Sequence, residues 1–537
     1  MTKKQILFKE ESLSKVLKGA TTLVDAMKIT LGPKSKSILI GKKWGVPIIC
    51  NDGVTIAREI ELADPVENLG AQMMREVAQK TGDAVGDGTT TATLIAHSIF
   101  SEGLRNVAAG ASAIDLKKGL NQGLAAALVK LHELSRPIKG PLEMAQVATI
   151  SAHNDSVLGK LVADAIHRVG NEGAVTVEES QGTETTVDVV EGLKFDRGYL
   201  SSYFITDPEK MEATLDDPYI LLYEKKISHV NDIVPILEQI TKANRSILII
   251  AEDVDGEALA TLVVNKVRGV LLSLAVKAPG FGDHRKAQMQ DMAILCGGKF
   301  ISEELGEKLD SLTLEHFGRA KKVRSTKDFT TIIGGAGMKM ALQERIKLLR
   351  TELEQTSSTY EREKLRERIA KLAGGVAVIH VGAPTETEIK IKKEALDDSI
   401  SATRAAAQEG IVAGGGLVFV RLSQELEHEE ALATGDVKTG IGLLRRALEV
   451  PARQIAKNSN ADDGVVVAEM KKNKGNFGFD GASGKFIDLV AAGIIDPTKV
   501  VRTALENAVS VASTLLLSEG TLTEIAESEH EQREREA

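Results

Sequence analysis

The run Gly82-Asp83-Ala84-Val85-Gly86-Asp87-Gly88-Thr89-Thr90-Thr91 delivers a glycine-rich turn straight into a helical pattern that continues through Leu94, Ile95 and Ile99. Glycines let a backbone approach a ligand closely, and the free N–H groups at a helix start, with the positive end of its dipole, favour phosphate. Three hydroxyls add donors. An aspartate at such a turn would repel phosphate by itself, so Asp87 makes chemical sense as a ligand for a hard cation such as Mg²⁺. The same residues also suit a simpler arrangement, an aspartate N-cap followed by threonines on a buried helix. No Gly-Lys pair is followed by Ser or Thr, which excludes a Walker A loop, and no Gly-x-Gly triplet continues to Gly-x-x-Gly. Any nucleotide site here is of another kind.

Upstream of this turn, Leu13, Val16, Leu17, Ala20, Leu23, Val24 and Met27 have the three-and-four spacing of an amphipathic helix, stopped by Gly32-Pro33. A second helical pattern, Val66, Leu69, Met73 and Val77, is predicted to end at Gly82. The first 130 residues therefore read as mostly helical. The middle differs: Ile247 to Ala251 is strand-like, Glu257 to Arg268 helical and Val270 to Val276 strand-like, a β-α-β unit. Leu342, Ile346, Leu349 and Leu353, then Leu365, Ile369 and Leu372, mark two charged helices flanking Gln355-Thr356-Ser357-Ser358, an antiparallel hairpin. After Gly410 and the cluster Gly414-Gly415-Gly416, Ala-rich helical patterns return, so the two ends are expected to share one domain with the middle inserted. The tail after Ile525 lacks apolar periodicity and reads as solvated.

At 537 residues and 57.5 kDa the chain exceeds what one core organises, which predicts a multidomain protein of α and α/β character. A formal charge of -9 leaves no basic footprint for nucleic acid, and no polybasic run adjoins an apolar segment suited to a membrane. Aromatic residues make up 3%, so the core must be built from Ala, Val, Ile and Leu. Cys50 and Cys296 lie too far apart in sequence for a disulfide framework or a zinc cluster, and a reducing compartment fits them. The N-terminus lacks a signal-like apolar core and no stretch reaches ~18 apolar residues, so a cytoplasmic location is expected. No catalytic His or Cys constellation points to a metabolic enzyme.

Five motifs, Thr30-Leu31-Gly32-Pro33, Asn51-Asp52-Gly53, Gly86-Asp87-Gly88-Thr89-Thr90-Thr91, Ala413-Gly414-Gly415-Gly416 and Asp496-Pro497-Thr498-Lys499, stand in the order found in group I chaperonins, and the chain resembles the GroEL family over nearly its whole length. Phe195-Asp196-Arg197-Gly198-Tyr199-Leu200, Lys277-Ala278-Pro279-Gly280-Phe281-Gly282-Asp283 and Lys371-Leu372-Ala373-Gly374-Gly375-Val376 carry the same resemblance. It implies a chaperonin fold: a mostly helical equatorial domain from residues 1–133 and 409–537, a small α/β intermediate domain from 134–190 and 377–408, and an α/β apical domain at 191–376. It further implies an ATP hydrolase that folds captured polypeptides in a ring-shaped chamber, a homo-oligomer of two stacked seven-membered rings, closed by a small co-chaperonin lid of the GroES family.

By the same resemblance, ATP contacts fall to Thr30, Leu31, Gly32, Pro33, Asn51, Asp87, Gly88, Thr89, Thr90, Thr91, Gly415, Asp480, Gly481, Ala482 and Asp496. Mg²⁺ falls to Asp87, and K⁺ to the backbone carbonyl at Asn51. Asp398 is implied to orient the attacking water, with Asp52 as its helper, roles suited to phosphoryl transfer by positioning and electrostatics. Unfolded clients, and the lid in competition with them, are implied to meet an apolar apical face of Tyr199, Tyr203, Phe204, Val234, Leu237, Leu259, Val263 and Val264; from their own pattern, Leu259, Val263 and Val264 read as core residues of the β-α-β helix. Gly192, Gly374, Gly375 and Gly410 sit near the domain junctions and look like hinges, although most glycines merely close turns. The chain departs from the family where Asn51 replaces a common lysine, at Asp480 to Ala482, at His153, where Asn is usual, and in a charged tail replacing Gly-Gly-Met repeats. These departures leave open a specialised paralogue with weak ATPase that holds clients passively.

Overall fold

The computed structural model of the chain describes residues 4–41, 47–170, 173–180, 182–208, 210–303, 309, 312–356 and 358–524. The expectation for the tail after Ile525 lies outside them, as does Ser357 of the hairpin turn. The architecture is multidomain, and the chain divides into two compact units, one from residues 1–163, 181–184 and 381–537, the other from 164–180 and 185–380.

The first unit is mainly helical. Its Lys9–Met27 helix buries Val16, Ala20, Leu23, Val24 and Met27, the face read from the sequence, and runs into a 3-10 turn, Lys28–Thr30, before Gly32. The next long helix, Pro65–Val85, is begun by Asp64, whose carboxylate accepts the N–H groups of Val66 and Glu67 at 2.8 and 3.2 Å, with Pro65 in the first turn. It does not end at Gly82, as the sequence pattern predicts. Gly86, left-handed at φ 72°, caps it one turn later, and Gly82 stays helical with the side chains of Val54 and Thr89 packed against it. Thr89–Ala108, Ala113–Leu134, Leu417–Leu432, Gly435–Ala447 and Thr498–Leu516 complete the core, in which Phe100, Leu120, Phe419, Leu444 and Leu505 are buried together. The chain ends meet directly: strand Lys4–Phe8 pairs antiparallel with Gly520–Glu524, Ile6 opposite Leu522.

The second unit is α/β. Ser273–Lys277, Ile247–Ala251 and Tyr219–Tyr223 run parallel and continue into antiparallel Gly318–Ser325, Thr330–Gly335 and Gly192–Phe195. The β-α-β reading holds, with the helix at Gly256–Val267; its second strand begins at Ser273, leaving Val270 and Leu272 exposed. The helices Lys339–Gln355 and Thr359–Gly374 pack on the same core through Leu342, Leu349, Leu365 and Leu372. Buried Asp291 binds Arg345 at 2.8 Å and Arg368 at 2.7 and 3.0 Å, tying both helices to helix Gly282–Cys296.

Candidate functional site

A cavity of about 570 Å³ opens in the first unit. It is lined by Thr30 to Pro33, Asn51, Asp52, Asp87 to Thr91, Asp398, Gly415, Asp480 to Ala482 and Asp496, so segments scattered over more than 460 positions of sequence meet at one place. The 89–108 helix supplies its floor. Gly88 is the N-cap, left-handed at φ 77°, and has no side chain with which to cap the helix. The first-turn N–H groups are therefore left for a ligand. Asp87 is not that cap: its carboxylate accepts hydrogen bonds from the Gly88 N–H and, at 2.7 Å, from the Ser151 hydroxyl. The threonine half of the simpler reading does hold, since Thr89 and Thr90 are buried, yet both also line the cavity.

Two close approaches assemble the walls. A Cβ at Gly53 would lie 2.4 Å from Thr90 Oγ1, so glycine is required where helix Gly53–Glu59 starts against the 89–108 helix. The residue before it, Asp52, is that short helix's N-cap and accepts the N–H groups of Thr55 and Val54 at 2.7 and 3.3 Å. At Gly86 a Cβ would fall 2.3 Å from Ser401 Cβ. Helix Glu386–Glu409 thus packs directly on the glycine turn, and Asp398, three residues before Ser401 and on the same face, comes to the cavity. Ser399 ties this helix to helix Pro141–Ser151, donating to the Ala148 carbonyl at 2.8 Å.

On the remaining wall, Ile411–Ala413 pairs antiparallel with Ile495–Pro497, which sets Asp496 opposite Val412 and beside Gly414. Asp480 ends strand Phe477–Asp480 and closes the turn to Lys485–Asp488, accepting the Ala482 N–H at 2.9 Å and the Ser483 N–H at 3.3 Å. Sequence reading missed two residues that hold the site. Asn458 donates to the carbonyls of Lys28 and Leu31 at 2.9 and 2.8 Å, clamping the Thr30 to Pro33 loop. Ser151 anchors Asp87 from helix Pro141–Ser151. Neither stands in a recognisable motif.

Burial dominates the electrostatics of two of the cavity's carboxyl groups. Burial, reinforced by the charges of Asp52 and Asp87, holds the Asp398 carboxyl well above the usual carboxylate range. Burial and the Asp87 charge push Asp496 up to about 7. Neither carboxylate has a hydrogen bond or ion pair with a described residue. A cation entering near Asp87 would relieve both.

The second unit divides the other set of candidates. Tyr203 is 66% exposed and Val264 44%, with Val234 also exposed; Tyr199, Leu259 and Val263 are half-buried against the core. Phe204 at 1% and Leu237 at 7% belong to the core itself. These residues share one region, because helix Val230–Lys242 packs on Gly256–Val267 and the latter also meets the short 3-10 turn Ser202–Phe204.

Residues 23–525 match the family model described as the TCP-1/cpn60 chaperonin family. The chain is 60% identical over 531 residues to Chaperonin GroEL 5 of Bradyrhizobium diazoefficiens, with 99% of this chain and 98% of that protein aligned. Both likenesses run through the cavity-lining segments and the α/β insertion alike, and the chain belongs to the TCP-1/cpn60 chaperonin family.

Proposed function

We propose that this chaperonin, which assists the folding of other proteins, does so as an ATP hydrolase whose nucleotide site is the cavity of the first unit. The observation that carries the reading is the convergence there of an uncapped helix N-terminus, three threonine hydroxyls and carboxylates that have no positive partner among the described residues. Thr89 to Thr91 and the first-turn N–H groups receive phosphate, the Thr30 to Pro33 loop covers it, and Gly415, Asp480 to Ala482 and Asp496 face the nucleoside.

Among the described residues no three Asp, Glu, His or Cys groups come together as a metal cage. Asp87 would hold Mg²⁺ through its carboxylate. When bound, Mg²⁺ supplies neutralisation of developing phosphate charge. Asp398 orients the attacking water and Asp52 assists from its capping position. The carbonyl of Asn51 is the proposed K⁺ contact.

The second unit's apolar residues, Tyr199, Tyr203, Val234, Leu259, Val263 and Val264 at the surface with Phe204 and Leu237 beneath, receive unfolded clients and, in competition, a co-chaperonin lid of the GroES family. Burial there stabilises by ~25 cal/mol per Å² whatever the client's sequence, so several weak contacts around a ring hold many chains. The reading includes two stacked seven-membered rings in the cytoplasm, with 1–133 and 409–537 as the equatorial domain, 134–190 and 377–408 as the intermediate, and 191–376 as the apical. Among the described residues no helix is long and apolar enough to cross a membrane.

The test is calorimetric titration of ATP with and without Mg²⁺, using wild type and Asp87→Asn. Mg²⁺-dependent binding by wild type, weakened in the variant, is expected. Absence of ATP binding by wild type would remove the reading.

A further inference from the structure

Five carboxylates line the cavity, those of Asp52, Asp87, Asp398, Asp480 and Asp496. Against them, among the described residues, stand one lysine, Lys160, one histidine, His153, and no arginine. Asn51 brings no charge, and a histidine contributes one only when protonated. A nucleoside triphosphate adds several negative charges of its own, and one Mg²⁺ with one K⁺ does not offset both sets. Lys160 is thus the one permanently cationic side chain among the described residues that line the cavity.

Its placement has a structural cause. Lys160 lies on helix Ser156–Val169, which starts under the carboxylate of Asp155, acceptor for the N–H groups of Val157 and Leu158 at 2.8 and 3.1 Å. This helix comes against helix Pro141–Ser151 at Gly159, where a Cβ would fall 2.2 Å from Thr149 Oγ1 and 2.6 Å from Thr149 N. Backbone and hydroxyl crowd that point, so any side chain at 159 would push the two helices apart. The next residue is Lys160, brought to the cavity wall shared by Thr149, Ile150 and Ser151. Its ammonium is exposed and makes no hydrogen bond or ion pair with a described residue. Elsewhere on the chain, lysines such as Lys15, Lys18 and Lys371 have carboxylate partners within 3.0 Å.

We infer that Lys160 is a phosphate-contacting residue of this site, its ammonium meeting the outer phosphate of the bound triphosphate. The inference rests on the cavity's being a nucleotide site. Lys160 and Ser151 lie on two helices that cross closely at Gly159, so this crossing relates the anchor of Asp87 to the cation that faces the phosphate.

Binding of MgATP, MgADP and adenosine to the full-length protein separates the possibilities, measured by calorimetry for wild type, Lys160→Gln and Lys160→Arg. Lys160→Gln should lose roughly ten- to hundredfold in MgATP affinity, as expected for a hydrogen bond to a charged group, and less for MgADP, with adenosine unchanged. Lys160→Arg should recover most of the loss, and Asn51→Lys added to Lys160→Gln should recover part of it. The thermal unfolding midpoint should stay at the wild-type value, because the side chain is exposed and has no partner among the described residues. Wild-type MgATP affinity in Lys160→Gln, or an equal loss for adenosine, overturns the role of Lys160 alone. Failure of wild type to bind MgATP overturns the nucleotide reading and this inference with it.

Discussion

The cavity of the first unit and the apolar face of the second are built on opposite principles. At the cavity, specific contacts set the polar framework: Ser401 on Gly86 places Asp398, Ser151 holds Asp87, and Asn458 clamps the 28–31 backbone. On the apolar face nothing is aimed. Tyr203 and Val264 stand in solvent while Phe204 and Leu237, one and three positions from other surface candidates, are core. Directional chemistry needs positions fixed to fractions of an ångström, whereas the hydrophobic effect asks only for accessible area. Substitutions should therefore act locally and steeply at the cavity, but on the apolar face they should act according to exposure.

The steepest effect belongs to Asp398. With its carboxyl held above the ordinary range by burial and by the Asp52 and Asp87 charges, ionisation should favour turnover, so the ATPase rate should rise with pH, and the rise should move to lower pH as Mg²⁺ is increased. Asp398→Ala should reduce turnover about 10²- to 10³-fold with ATP affinity little changed, read in steady-state hydrolysis and calorimetry. Loss of affinity in step with turnover would instead make Asp398 a structural residue.

Next is the split within the apolar face. Phe204→Ala should cost about 3–5 kcal/mol of stability in chemical unfolding, whereas Tyr203→Ala should stay within about 0.5 kcal/mol and lower client capture several-fold. Equal stability in the two variants would erase the distinction drawn from burial.

Asp496 gives a pH test. Its carboxyl, ordinarily near 3.8, is raised to about 7, so the native state holds a proton that the unfolded state has lost, and stability falls as pH rises between those values. Asp496→Asn should flatten that decline and leave the ligand-free protein more stable at pH 8, on the order of 2 kcal/mol, in urea melts at several pH values. An unaltered pH dependence would mean that the charge is relieved some other way.

The smallest effect is at Ser151. Removing its hydroxyl from Asp87 in Ser151→Ala should raise the Mg²⁺ concentration needed for half-maximal turnover by roughly three- to tenfold. A drop in maximal rate at unchanged Mg²⁺ requirement would place Ser151 elsewhere in the cycle.

The same contrast explains what could be read from residues alone. Motifs such as Gly86-Asp87-Gly88 stand out because glycine and aspartate are poor choices for a helical core, so their presence invites a ligand. Tyr203 and Phe204 are adjacent and both aromatic, and only packing separates them. The helix through Gly82 escaped notice because a glycine costs a helix only about 1 kcal/mol, which contact with Val54 and Thr89 overrides. Strands Ile38–Ile40 and Ile48–Cys50 are too short to show alternation, and the pairing of Lys4–Phe8 with Gly520–Glu524 joins segments with no local signal of each other. The long helices, the β-α-β unit and the charged hairpin were legible because their periodic faces are the ones buried.

The most direct measurement is the refolding yield of an aggregation-prone client with purified protein, ATP, Mg²⁺, K⁺ and a lid, comparing wild type with Asp398→Ala. High ATP-dependent recovery in wild type, stalled in the variant, is the expected result. Equal suppression of aggregation by both, without ATP-dependent recovery, would contradict it and leave a passive holder of unfolded chains.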